Sequence, residues 1–393
     1  MLHICTMTFL FITIFLLVSY SILILYYRTS WLGINNFVPK KEWIKNDLPF
    51  VSVIIAARNE EDNIGACIDS VMLQTYPSLK FELIIINDHS TDNTVSVIRS
   101  FNQENIRLLH LEDYTGDKLL NSYKKKSIEM ALQYAKGELI ITTDADCVVP
   151  VKWLETMAAF YIEKDPVFIA APVTFLAPSK NDSLSLKALK IFQSLDFMTL
   201  QGITGASVSK GFHNMCNGAN LAYPKEIFYR VNGFEGIDEI ASGDDMLLMH
   251  KIQKAFPEKI GFLKSPDCVV QTQAASSVSS FLNQRIRWAS KAGHYTDKKI
   301  TGVLVLVYAF NVWMLILGIA SFFSLQAFYI FLVALFIKVV AELSFLFPVA
   351  RFFGQRNLLW YFIPSQPFHI LYTVMAGWLG IFGSYRWKGR KVK

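Results

Sequence analysis

No charged side chain interrupts residues 2–27, 300–337 or 358–383, and apolar residues dominate all three runs. About 20 such residues cross a bilayer as a helix, so the first run predicts a membrane-spanning anchor. It has no basic segment ahead of it, and Tyr26-Tyr27-Arg28 is not a small-residue cleavage site, so the anchor reads as uncleaved. As a single helix, residues 300–337 would extend about 57 Å, nearly twice the ~30 Å hydrocarbon core. This run therefore predicts a hairpin turning near residues 321–326, with spans near 303–321 and 327–347. Lys338 and Glu342, four residues apart on the second span, predict a local ion pair near the interface. Pro364 and Pro367 interrupt the third run, which either spans or re-enters the bilayer.

Between about residues 50 and 297 the pattern changes to short apolar runs separated by helical periodicity. Residues 51–56 (VSVIIA), 81–86 (FELIII), 106–110 and 139–143 (LIITT) predict buried strands. Helices are predicted near 61–73, from Thr91 or Asp92 to 101, and over 126–135. Strands alternating with helices at this spacing imply βαβ units and a mostly parallel sheet.

Charge follows the same division. Charged residues make up 18% of the 393, below the roughly 25% usual for soluble domains. The deficit lies in the apolar runs, while the net charge of +6 gathers beside them. Arg28, Lys40, Lys41 and Lys45 follow the first run, and Arg386, Lys388, Arg390, Lys391 and Lys393 follow the last. The positive-inside rule then puts the body in the cytoplasm of a multi-pass inner-membrane protein. No basic stripe with interleaved aromatics is present, which argues against nucleic acid as a partner. The five cysteines, never in CxxC spacing, predict buried thiols in a reducing compartment.

Ligands of parallel sheets bind at the carboxyl ends of strands, where Arg58, Asp88, Asp144 and Asp146 all fall. Asp144-Ala145-Asp146 sets two carboxylates around one small residue, a pattern that serves either a hard cation or a helix-capping turn. Asp88 is available for a nucleobase N–H or for capping. Asp244-Asp245 opens a helical run; adjacent acids there either complement the dipole or, by mutual repulsion, supply a general base. Gln284-Arg285-Ile286-Arg287-Trp288 precedes the apolar hairpin, as an interfacial helix, a diphosphate-binding and sugar-stacking segment, or both. GxxxxGK[ST] is absent, as is GxGxxG after a strand, which removes P-loop NTPases and dinucleotide dehydrogenases.

In order along the chain stand VSVIIAARNEE (51–61), IIINDHSTD (84–92), KKKSIEMAL (124–132), DAD (144–146), NGAN (217–220), SGDDMLL (242–248) and QRIRW (284–288). Together they resemble the family 2 inverting glycosyltransferases, in the membrane-bound branch with cellulose, hyaluronan and poly-N-acetylglucosamine synthases. The resemblance implies a GT-A-type α/β fold. It implies that Asp88 contacts the base, that Arg58 and Glu60 line the nucleoside site, and that Lys125 or Lys126 lies near the donor. Asp146 would be the main metal ligand, for Mg²⁺ or Mn²⁺, with Asp144 on the donor sugar or ribose. Asp245, second of the Asp244-Asp245 pair, corresponds to the catalytic base. Asn217, Gly218, Gln284, Arg287 and Trp288 fall to the diphosphate and acceptor. The expected donor is a nucleoside diphosphate sugar, UDP-linked, and the expected acceptor a lipid, a lipid-linked saccharide or a growing polymer. Three departures stand out: Ala56 replaces a usual proline, the acid pair is Asp-Asp rather than Glu-Asp, and the gating-loop motif of cellulose synthases has no counterpart.

The expected organisation is an anchor (1–28), a juxtamembrane linker (29–49), a cytoplasmic glycosyltransferase domain (50–297) and a C-terminal membrane region with a basic tail (298–393). Two competing classes are a membrane nucleotidyltransferase, which has no use for QRIRW, and a transporter with a cytoplasmic regulatory domain, which would need more intramembrane charge.

Overall fold

The computed structural model describes residues 2–40, 48–116, 120–240, 243–291, 297–382, 385–387 and 390–392. Lys41, Lys45, Ser242, Lys388 and Lys393 lie outside the described residues. The chain forms two compact units. One holds residues 34–176 and 207–273, the other 1–33, 177–206 and 274–393. The expected 50–297 domain is thus interrupted, because residues 184–206 of the long helix Leu184–Lys210 cluster with the apolar helices.

In chain order the strands are β1 (Val51–Ala57), β2 (Phe81–Asn87), β3 (Ile106–His110), β4 (Leu139–Asp144), β5 (Phe168–Ala170), β6 (Val173–Phe175), β7 (Leu221–Pro224), β8 (Ile260–Phe262) and β9 (Val270–Thr272). Seven of them make one sheet in the order β3-β2-β1-β4-β7-β5-β8. The first four are mutually parallel, β7 runs antiparallel to both β4 and β5, and β8 is parallel to β5. β6 and β9 form a separate parallel pair. Helices Ile64–Met72, Tyr123–Tyr134 and Trp153–Lys164 flank the sheet, giving the expected mostly parallel α/β fold.

Burial explains the continuous apolar strands. Every residue of β2 is buried, as is all of β1 except Ala56. Register places Ala57 opposite Asn87 and Ala56 opposite Asp144, so the loops after β1, β2 and β4 open at one edge. At the opposite edge Gly137 lies so close to β1 that a Cβ would fall 2.4 Å from the Ser52 nitrogen, which only glycine permits.

Part of the expected linker is tied to this unit. Phe37 donates its N–H to the Lys264 carbonyl (2.7 Å), and Lys264 Nζ donates to the Ile34 carbonyl (2.9 Å). Burial pushes the Lys264 ammonium down to about 8. Above that pH and below the ordinary lysine value the unfolded chain binds the extra proton, so stability rises with pH across this window. In detergent, the thermal midpoint should climb between about pH 8 and 10, and Lys264→Met should lack this increment.

Among the described residues of the other unit, three helices are long and apolar enough to cross a membrane: Met7–Leu32, Lys298–Ala320 and Leu325–Phe352. The first and third run parallel, with Tyr20 against Glu342, Tyr27 near Phe345 and Trp31 near Phe352. The second runs antiparallel to the first, pairing Thr13 with Trp313 and Tyr20 with Phe310. The hairpin turns at residues 321–324, as expected. The last apolar run forms a helix, Phe362–Phe382, with Pro367 inside it.

Lys338 and Glu342 depart from the expected interfacial pair. Lys338 is fully buried, and its Nζ donates to Glu342 Oε1 and Gln366 Oε1, both at 2.6 Å. Gln366 Nε2 donates back to Glu342 Oε2 (3.0 Å), and the Tyr20 hydroxyl donates to Glu342 Oε1. The pair therefore cross-links three helices, because a charge inside apolar surroundings persists only when its partners satisfy it.

Candidate active site

The loops leaving β1 and β2 are laced together. Arg58 Nη1 donates to the Asp88 and His89 carbonyls (2.9 and 3.3 Å) and lies 3.7 Å from Asp88 Oδ1. Asn59 and His89 both adopt left-handed backbone, φ 51° and 52°. That conformation is costly outside glycine, and neighbouring hydrogen bonds hold it. Thr91 N–H reaches Asn59 Oδ1 (2.8 Å), and Glu61 N–H reaches Asp92 Oδ2 (3.2 Å). Asp88 is buried, with Oδ1 3.0 Å from His89 Nδ1. Glu60 Oε2 accepts from Asn63 Nδ2 (2.9 Å) at the start of the following helix. Asp92 Oδ1 accepts from the Thr94 N–H and hydroxyl (3.0 and 2.6 Å), so it serves the helix and leaves Asp88 out of capping.

Beyond β4 the acids converge. Asp144, Asp146 and Cys147 bring a ligand atom each within 4.8 Å of one another. Two carboxylates suit a hard cation such as Mg²⁺ or Mn²⁺. Cys147 is a softer donor than such a cation prefers. Burial, then the charges of Asp146 and Asp144, push its thiol up, and the protonated Sγ lies 3.7 Å from Asp146 Oδ1. Asp144 and Asp146 could together hold a divalent cation through oxygen.

Lys124 ties this loop to the distant acid pair. Its Nζ lies 2.7 Å from Asp144 Oδ1 and 3.1 Å from Asp244 Oδ2. Burial alone would push the ammonium down; Asp144 and Asp244 outweigh it and hold the pKa above the ordinary lysine value. Lys125 and Lys126, expected near the donor, point elsewhere. Lys125 Nζ donates to the Ile237 and Ile240 carbonyls (2.6 and 2.7 Å), and Lys126 Nζ pairs with Glu129 (2.5 Å).

Asp245 caps the helix Met246–Ala255, its Oδ1 accepting from the Met246 N–H (2.7 Å). Its Oδ2 accepts from the Gly218 N–H (3.0 Å), which joins the NGAN segment to the acid pair. A Cβ on Gly218 would lie 3.2 Å from Lys124 Nζ and 3.4 Å from Asp244 Oδ2, crowding the cluster. Asn217 Oδ1 closes its own turn on the Ala219 N–H (3.0 Å). Asn220, fully buried, donates to the Pro172 and Cys268 carbonyls (2.8 and 2.7 Å) and accepts from Trp153 Nε1 (2.9 Å). One unit thus brings Lys124, Asp144, Asp146, Gly218, Asp244 and Asp245 together.

Gln284, Arg287 and Trp288 belong to the other unit, on the helix Val278–Ala289. Arg285, between them, is buried and paired with Asp196 (2.6 Å). Its guanidinium lies 4.2 Å from the Trp288 ring centroid and 4.7 Å from that of Phe281. Gln284 Oε1 accepts from Arg285 Nη1 (2.9 Å), and the Tyr372 hydroxyl donates to Asp196 Oδ1. The indole is therefore braced by a residue that the resemblance does not single out. Arg287 is half-buried and has no carboxylate within ion-pair distance among the described residues.

The chain is similar to several known proteins. It is 24% identical to the dolichyl N-acetyl-α-D-glucosaminyl phosphate 3-β-D-2,3-diacetamido-2,3-dideoxy-β-D-glucuronosyltransferase of Methanococcus voltae, over 77% of this chain and 92% of the relative. It is 34% identical to glycosyltransferase AglE of Haloferax volcanii over 110 residues, which span only about a third of that protein (34%). It is 31% identical to the β-monoglucosyldiacylglycerol synthase of Nostoc over 133 residues, 31% of this chain and 27% of the relative. Among solved structures, the mannosyltransferase PcManGT of Pyrobaculum calidifontis, in complex with GDP-Man and Mn²⁺, aligns with a TM-score of 0.55 at 19% identity. It covers 94% of this chain and 97% of its own, and so shares the fold. Residues 52–228 match the family described as Glycosyl transferase family 2.

Proposed function

We propose that this protein is a membrane-anchored, inverting glycosyltransferase that moves a sugar from a nucleoside diphosphate sugar to a membrane-associated acceptor in cell-surface glycan or glycolipid synthesis. The observation that carries the reading is the cluster of Lys124, Asp144, Asp146, Asp244 and Asp245 at the edge where the family 2 strands end. A nucleotidyltransferase would use metal acids too, but not the QxxRW segment. Lipid acceptors find support in two relatives, one named for a dolichyl-linked phosphate sugar and one for a glucosyldiacylglycerol. The three apolar helices and the basic residues after the first of them support an inner-membrane location with the sheet on the cytoplasmic side.

In this reading the base of the donor lies at Asp88, whose loop Arg58 and Glu60 hold in shape. Asp146, with Asp144, would hold Mg²⁺ or Mn²⁺, which when bound offsets charge on the leaving diphosphate. Lys124 keeps Asp144 and Asp244 together despite their like charge. Asp244 forms the ion pair with that ammonium, and two backbone N–H groups fix the direction of Asp245. By the resemblance, Asp245, second of the acid pair, is the base: it takes the acceptor hydroxyl proton as that oxygen bonds to the anomeric carbon. The carbon–diphosphate bond breaks on the opposite face, and configuration inverts in one displacement. From the resemblance alone, Gln284 and Arg287 meet the diphosphate and Trp288 stacks on the acceptor sugar.

The test is to incubate the purified protein in lipid with a panel of nucleotide sugars, radiolabelled in the sugar or in the phosphate, and to size the lipid-extractable product. Sugar label in the organic phase with inverted linkage is expected. Phosphate label there without sugar label would instead identify a nucleotidyltransferase, and transfer of both labels together, or of neither, would remove the reading.

A further inference from the structure

The parallel helices Leu2–Leu32 and Leu325–Phe352 end close together, and a groove of about 410 Å³ opens between their last turns. Arg28, Leu32, Ser344, Phe347, Pro348 and Arg351 line it. Pro348 has no N–H, so the carbonyl of Ser344, four residues earlier, loses its helical donor. Arg28 Nε supplies that donor at 3.2 Å. This bond fixes the guanidinium across the groove and leaves its two terminal nitrogens uncommitted to it.

Charge is unbalanced there. Among the described residues, neither Arg28 nor Arg351 has a carboxylate within ion-pair distance, and Arg351 is exposed. Arg356 adds a third cation, 4.9 Å over the Phe347 ring. The remaining wall is apolar and open, with Leu32 53% and Phe347 47% exposed. A groove lined by two guanidiniums and by bare hydrocarbon matches an amphiphile with an anionic phosphate head and an alkyl tail. A soluble anion would use the arginines and leave the apolar wall wet. A zwitterionic lipid offers the same phosphate but brings another cation into a groove that already holds two.

We propose that this groove is a specific binding site for an anionic glycerophospholipid, its phosphate held between Arg28 and Arg351 and its chain lying on Leu32, Phe347 and Pro348. The lipid locks the ends of the first and third spans together. The site rests on the membrane reading above but not on glycosyl transfer, so its test reads binding alone.

Full-length protein in neutral detergent is titrated with dihexanoyl phosphatidylglycerol, dihexanoyl phosphatidylcholine or inorganic phosphate, and bound species are counted by native mass spectrometry. One phosphatidylglycerol per chain is expected, retained at least tenfold better than phosphatidylcholine and not displaced by inorganic phosphate at equal concentration. Arg351→Gln, whose side chain has no structural partner among the described residues, should weaken that binding at least tenfold without changing the thermal midpoint of the lipid-free protein. Arg28→Lys should weaken it less, because charge remains while the Ser344 bond is lost. Equal binding of the two lipids, unchanged affinity in Arg351→Gln, or displacement by phosphate alone would each overturn the proposal.

Discussion

Asp245→Asn should cost about 10²–10⁴ in kcat, the usual worth of a positioned general base, while donor affinity changes less than about threefold. Asparagine is as good an N-cap as aspartate, so the helix Met246–Ala255 keeps its start. Its amide has one acceptor oxygen, however, and cannot serve both the Met246 and the Gly218 N–H. One hydrogen bond is lost, about 1 kcal/mol of stability, far too little to unfold the domain. Asp244→Asn is the companion. It weakens the ion pair to Lys124 but leaves proton transfer in place, so kcat should fall no more than about tenfold. Single-turnover rates with saturating donor separate the two. If Asp245→Asn keeps a tenth of the wild-type rate and Asp244→Asn is the inert variant, the base is Asp244.

Much of the first, parallel half of the sheet was legible because burial writes itself plainly into sequence. β1, β2 and β4 are buried on both faces, so they read as mostly apolar runs, interrupted by Ser52, Glu82, Thr142 and Thr143, and the polar residue ending each run marks the open edge. The acids of β4 followed from that rule. The strands after β4 were illegible for the same physical reason. β5, β6, β8 and β9 have three residues each, too few to show any period, and nothing local says that β7 reverses direction. Lys124 was hidden by helix phase. Successive lysines in the run at 124–126 point about 100° apart, and which one faces the acids depends on where the helix starts. It starts at Tyr123, three residues before the expected position, which turns Lys124 toward Asp144 and Asp244. Lys338 misled differently. Its i,i+4 partner was visible, but Tyr20 and Gln366 are supplied by other helices, and only tertiary packing shows that the pair is interior.

Asp146→Asn should remove most of the divalent-cation dependence of donor binding. Isothermal titration of a nucleoside diphosphate sugar, with Mn²⁺ and with chelator, measures it directly. Lys124 already claims Asp144 Oδ1 at 2.7 Å, so Asp146 carries the larger share of any cation held by this loop. Losing that carboxylate should erase at least about tenfold of the Mn²⁺-driven gain in affinity, with chelator values unchanged. Lys124→Met moves the other way. It releases Asp144 to the cation and leaves Asp144 and Asp244 facing each other without their shared ammonium. Cation binding should therefore tighten while turnover falls, because the loop after β4 and the Asp244-Asp245 pair are no longer held in register. If wild-type donor affinity is the same in chelator as in Mn²⁺, the metal role of Asp146 fails. Lys124 is then the cation of this site, and its removal should weaken donor binding instead of strengthening the metal's hold.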